Sequence, residues 1–226
     1  MFNSFLNTGV IKDKLNDKAF NKLKLYIKNK KNRYNATLAG NISDSFSLKD
    51  KDDWFLKNVL FSLINQYSPK DISNIIGHPL TKNCAYALDG FWVNMQNKYE
   101  FNPSHCHSGV LSFVIWVKIP SSHKKEKKLK FVKETNVPCP NTFEFTYTNI
   151  LGSVCQQKYH LEPEDEKTII LFPSKLVHQV YPFYLSNKKR ILNFNSFKTF
   201  MTDLENYIGN YFGVVNQLRS ITSRNY

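Results

Sequence analysis

Residues 101–120 read FNPSHCHSGVLSFVIWVKIP. His105 and His107 are separated by one residue, and side chains two apart on an extended segment point to the same side. Two imidazoles can therefore converge on one point. Asn102, Pro103, Ser108 and Gly109 are turn formers, which places the pair at a strand end rather than inside a strand. Val110 to Val117 is apolar except for Ser112, rich in β-branched and aromatic residues, and reads as a buried strand. Histidine is the commonest metal ligand, so the pair is a candidate metal site. Two hydrogen-bonding histidines at a strand end fit the same spacing.

The second half of a site comes downstream. Thr168 to Ser174, TIILFPS, reads as another buried strand ending in a turn, and His178 follows it. Twelve residues after His178, Arg190 opens the stretch RILNFN. Further strands are expected at Ala85–Met95, with Asp89-Gly90 as a turn or bulge, and at Leu129–Lys133, Thr142–Asn149 and Arg190–Phe194. Prolines and glycines punctuate these short strands, a pattern that suggests a sandwich or barrel.

Towards the N-terminus the period changes to helical. Asn16 or Asp17 can cap a helix carrying Phe20, Leu23 and Ile27 on one face and ending in the basic residues Lys28 to Lys31. Asp52 and Asp53 open a second helix, with Phe55, Leu56, Val59, Leu60, Leu63, Ile64 and Tyr67 as its apolar stripe. Ser68-Pro69 starts a short helix stopped by Gly77. Each helix has one apolar face and is expected to pack on the outside of a sheet. A last helix is expected after Asp203, followed by a polar tail. The chain is thus read as one domain of mainly β class with flanking helices: residues 1–82 mostly helical, 83–198 the β core, and 199–226 a C-terminal helix and tail.

Composition bounds the function. The chain has 226 residues with 42% apolar and 15% aromatic content, enough for one sizeable core. No stretch reaches the roughly 20 apolar residues that span a bilayer, and the N-terminus lacks a signal-peptide pattern, so a soluble, cytoplasmic protein is expected. The four cysteines include no C-x-x-C pair, and Cys106 would point away from its histidine neighbours on an extended segment. With eight glycines and no glycine-rich phosphate loop, nucleotide-cradling motifs are excluded. The formal charge of +13 admits a nucleic-acid partner. Abundant Lys, Asn, Ile, Phe and Tyr also reflect simple codon bias, and Lys124 to Lys128 reads as a solvated loop.

Taken together, NPSHCHSGVLSFV (102–114), LFPSKLVHQVYP (171–182) and KRILNFN (189–195) resemble the iron(II)- and 2-oxoglutarate-dependent oxygenases. The compact prolyl-hydroxylase-like branch common in marine phages is the most similar. Phe91 to Asn94 and Leu38 to Asn41 share the likeness, which extends over at least residues 36–196. It implies a double-stranded β-helix, or jelly-roll, with Fe(II) between two sheets. His105, His107 and His178 would be the metal ligands, and Arg190, Asn94 and Tyr99 would contact 2-oxoglutarate. The position of His107 is Asp or Glu in most of the family. A neutral imidazole there leaves the ion more electrophilic and does not by itself select iron. Glu100 or Asp89 could supply a carboxylate instead. The family pattern also puts Ser or Thr two residues after the arginine, where this chain has Leu192. The activity implied is hydroxylation of a peptide side chain or small molecule, with 2-oxoglutarate decarboxylated to succinate and ascorbate a possible helper. A cupin-like metal-binding jelly-roll and a basic nucleic-acid-binding protein are the alternatives. Trp92 and Trp116 are expected in the core, and His78, His123 and His160 at the surface.

Overall fold

The computed structural model of the protein describes residues 9–67, 71, 75 and 84–201. Among these residues ten strands form two antiparallel sheets. In chain order they are β1 (Ile11–Lys14), β2 (Asp44–Ser47), β3 (Cys84–Gln96), β4 (Asn102–His105), β5 (Leu111–Lys118), β6 (Thr142–Thr148), β7 (Val154–His160), β8 (Thr168–Pro173), β9 (Val177–Val180) and β10 (Arg190–Met201). The large sheet has the order β1-β8-β5-β10-β3-β2 and the small one β4-β9-β6-β7. The fold is mostly β, and its core is a jelly-roll.

The pleat of β3, β5, β8 and β10 explains the layering, because both faces of the large sheet are covered and its strands read as near-continuous apolar runs. Phe91, Val93, Phe113, Ile115, Ile169 and Leu171 face the helices. Trp92, Val114, Trp116, Ile170, Phe172, Leu192 and Phe194 face the small sheet and meet Phe143, Phe145 and Val180. Helix α1 (Asp17–Lys28) buries Phe20, Leu23 and Ile27, and its cap is Asn16, whose side chain accepts from Ala19 N at 2.9 Å. A second helical run, residues 51–64, buries Phe55, Leu56, Val59, Leu60, Leu63 and Ile64 on the same face.

Several expectations are corrected. Leu129–Lys133 is no strand: Lys130–Lys133 is a helical turn, with Val132 N and Lys133 N bonded to the Leu129 carbonyl. Its apolar pair is adjacent rather than alternating, so only Val132 is buried while Phe131 stays exposed. The supposed solvated loop at Lys124 to Lys128 holds a helical turn, His123–Glu126, whose two end residues are buried. Asp52 and Asp53 do stand in the first turn of the second helical run, both with positive φ, and the cap is Asp50, whose two oxygens accept from Phe55 N and Leu56 N. The N-terminal third also donates β1 and β2 to the large sheet. Asp89 does mark a bulge, since the β3–β10 register steps from Gly90 to Leu88 opposite Ser196 and Phe197. Of the helix expected at residues 68–77 only residues 71 and 75 are described, and both are helical; the one expected after Asp203 lies outside the described residues, as does His78.

Candidate metal centre

The small sheet brings the histidines together through its register. His105, the last residue of β4, pairs directly with His178 on β9. His107 lies just beyond β4, tied by its backbone N–H to the Ser174 carbonyl at 2.9 Å. Ring centroids are 4.4 Å apart for His105 and His178, 4.9 Å for His107 and His178, and 5.0 Å for His105 and His107. One potential ligand nitrogen from each lies within 4.8 Å of the others. The group contains no carboxylate.

The surroundings orient these rings. His105 Nδ1 donates to the Pro103 carbonyl at 2.7 Å, and His178 Nδ1 to the Leu176 carbonyl at 2.9 Å. A proton held on Nδ1 leaves the Nε2 lone pair free for a metal, the usual arrangement of a ligating histidine. Nε2 of His107 and of His178 is buried without any hydrogen-bond partner. Buried polar atoms are rarely left so, because the lost hydration costs about 1–3 kcal/mol. Burial, chiefly, holds all three imidazoles below their ordinary pKa, with His107 pushed down to about 4. The rings are therefore neutral at physiological pH, the form that binds a cation. Phe172 packs 5.0 Å from His178 and Trp92 lies edge-on to His107 at 5.4 Å, which fixes both from the apolar side. Orphaned acceptors, fixed tautomers and a convergent nitrogen set fit a divalent transition metal.

A cavity of about 140 Å³ opens beside two of the three rings, lined by His105, Cys106, His107, Trp92, Asn94, Asn102, Phe194 and residues 37–40. Asn94 is buried and accepts from Ser45 Oγ at 2.8 Å through Oδ1. Asn102, which sequence reasoning did not single out, is buried with its Oδ1 unpartnered. A methyl group on Gly40 would overlap that amide, so the close approach of residues 37–40 requires glycine there. Tyr99 is elsewhere, 61% exposed and ring-to-ring with Tyr184 at 5.8 Å. Glu100 is spent on Ser43 and on Asn97, whose N–H lies 2.8 Å away; these bonds outweigh burial and lower its pKa. The Asp89 side chain lies outside the described residues.

Arg190 is fully buried at the start of β10 and does not line the cavity. Its Nε donates to Gln96 Oε1 at 3.0 Å, Nη1 to Asn141 Oδ1 at 2.7 Å and Nη2 to the Tyr181 carbonyl at 2.6 Å. Phe183 lies under the guanidinium, 5.0 Å away. The loop carrying Phe183 is pinned by buried Glu126, which accepts from Tyr184 N at 3.0 Å and Leu185 N at 3.2 Å. Gln96, Asn141 and Glu126 escaped the sequence reading because polar residues in separate segments give no periodic signal. His123 was misjudged as well: it is buried and stacks on His160 at 3.9 Å.

Residues 90–195 match the sequence family described as "Putative 2OG-Fe(II) oxygenase". This stretch of the chain is similar to the 2OG-Fe(II) oxygenases. The match contains the three histidines and Arg190, and the family uses Fe(II) and 2-oxoglutarate. No curated protein matches the sequence. Three solved structures are similar at low identity. A Pseudomonas putida prolyl-4-hydroxylase is 12% identical, with 84% of this chain and 92% of that one covered and a TM-score of 0.44. A Burkholderia pseudomallei oxidoreductase of the 2OG-Fe(II) oxygenase family is 13% identical, covering 84% and 85%, with a TM-score of 0.44. A Trichoplax adhaerens prolyl hydroxylase, solved with a hypoxia inducible factor peptide fragment, is 13% identical, covering 85% and 84%, with a TM-score of 0.45. The candidate ligand group within the matched stretch is three imidazoles. Among the described residues, no helix is long and apolar enough to cross a membrane.

Proposed function

We propose that the protein is a hydroxylase in which His105, His107 and His178 hold Fe(II), acting on a C–H bond of a peptide side chain or small molecule. The observation that carries this reading is the trio of neutral, convergent imidazoles, two of them with buried unpartnered nitrogens. Iron(II), when bound, would supply the chemistry that converts a C–H substrate, dioxygen and 2-oxoglutarate into the hydroxylated substrate, carbon dioxide and succinate.

The chain's own residues do the rest. The Pro103 and Leu176 carbonyls keep the Nδ1 protons in place, so the ring orientation does not change when a cation arrives. Trp92, Phe172 and Phe194 keep water from the apolar side of the cavity. Arg190 is the proposed partner of the distal carboxylate of 2-oxoglutarate. Its three neutral acceptors satisfy three of the five guanidinium N–H groups and hold it still, and it forms no ion pair among the described residues. A buried cation without a bonded carboxylate is a costly arrangement that an anionic ligand relieves. Asn94 is proposed to contact the cosubstrate from the cavity wall.

The test uses purified protein under anaerobic conditions. Fe(II) should raise the unfolding temperature, 2-oxoglutarate should raise it further only when the metal is present, and admitting air should release succinate. Metal uptake with no response to 2-oxoglutarate would replace this reading with a cupin-like binding protein.

A further inference from the structure

A second concave site lies on the far side of the large sheet's helical cover. Between the C-terminal half of α1 and residues 47–51 is a cavity of about 550 Å³ lined by Lys22, Lys30, Lys31, Lys49 and Lys51. It shares no lining residue with the metal cavity, and no acidic residue lines it. The lysines come from two separate segments, so the fold gathers them; they are not one basic run on one helix face. Among the described residues none of the five takes part in an ion pair. The neighbouring carboxylate of Asp50 is turned inward, to Tyr26 Oη, Phe55 N and Leu56 N. Lys22 lies over the Tyr26 ring at 5.4 Å and the Trp54 ring at 5.5 Å, and Lys30 over Phe46 at 5.3 Å, contacts that position the ammonium groups without cancelling their charge.

Five like charges converging on one concavity repel one another, and a polyanion relieves that repulsion. The charged donors in the lining are all lysine ammoniums, compact point charges suited to phosphate oxygens, with no arginine fork to match a planar carboxylate. Leu25 is the one exposed large hydrophobic residue in the lining, so an apolar face for membrane insertion is missing there. We propose that this groove binds the phosphate backbone of a single-stranded nucleic acid. The binding is charge-driven and indifferent to base sequence. It is independent of the metal centre and of the reaction assigned to it.

Fluorescence anisotropy of the full chain with a labelled single-stranded DNA of about 20 nucleotides tests it, a length that covers one groove with margin. Five phosphate contacts give a slope of about −3.5 in log K against log salt, or roughly a hundredfold loss of affinity between about 50 and 200 mM salt. The triple variant Lys30→Glu, Lys31→Glu, Lys49→Glu should bind at least about tenfold more weakly at the lower salt, with a slope shallower by about 2. A charge-matched control, Lys124→Glu, Lys125→Glu, Lys128→Glu, should bind like the parent. Circular dichroism checks that each variant is folded, and Lys31→Ala alone, with a slope shallower by about 0.7, serves if the triple variant is not. Equal weakening by both triple variants would reduce the effect to diffuse net charge and overturn the proposal. So would no binding at the lower salt, or displacement of the DNA by polyglutamate as effectively as by unlabelled DNA, which would point to an acidic protein partner.

Discussion

The two faces of the large sheet are built to different rules. The helix-facing side is mainly apolar around Phe55, Phe91 and Phe113, whose rings meet at centroid distances of 5.9 to 6.3 Å. The face turned to the small sheet is as tightly packed, yet the space it encloses admits Arg190 and His178, both fully buried, and a cavity lined by His105 and His107. The first face carries stability, because its contacts are mainly burial of apolar surface. The second accepts desolvated polar groups that cost stability and that a cation and an anion would satisfy. Function sits where the packing rules are broken.

Substitutions should separate the two. Phe55→Ala on the helix face should cost about 3–5 kcal/mol in chemical denaturation, the range for truncating a buried aromatic residue. It should leave metal affinity of the folded protein unchanged; a parallel loss of affinity would show that the faces are coupled. The inner face should respond to acid instead. His107 has a folded pKa of about 4 against an ordinary 6.5, so the unfolded chain binds more protons between those values. Its contribution is fully present above pH 6.5 and disappears as the pH falls towards 4, worth up to about 3 kcal/mol. The unfolding temperature of metal-free protein should fall across this window, and His107→Gln should flatten the profile. Titration with Co(II) as a coloured probe of the site should show His178→Ala losing at least about a hundredfold in affinity, about 2.8 kcal/mol. Retained affinity there would mean the three rings do not share a metal. The smallest effect belongs to the helix cap: Asn16→Ala should lower stability by about 1 kcal/mol and change nothing at the metal centre.

The same contrast explains what could be read in the sequence. Strands β3, β5, β8 and β10 were legible because both of their faces are buried, which leaves long β-branched and aromatic runs. Strand β7, VCQQKYH, is an edge with little apolar content, and β9 has only four residues, so neither stood out. The histidine set was readable because residue parity on a strand puts His105 and His107 on one side and because His178 follows a recognisable buried strand. The cage around Arg190 was not, since Gln96, Asn141 and the Tyr181 carbonyl reach it from three distant segments. Glu126 sits in a lysine-rich stretch that composition alone assigns to solvent, and only the fold shows that its carboxylate is enclosed.

The ladder between β4 and β9 sets how far the chain can drift. It is short, and its register places His105 opposite His178. Slipping one strand by a single residue would swing an imidazole to the outer surface while leaving the ten-residue-scale pairing of β3 with β10 intact. An insertion or deletion in the turn at Leu176 would thus scatter the three imidazoles, and would also shift Val180 in the core and the Tyr181 carbonyl that holds Arg190. The length of that one turn is therefore tied to the spacing of the rings it separates.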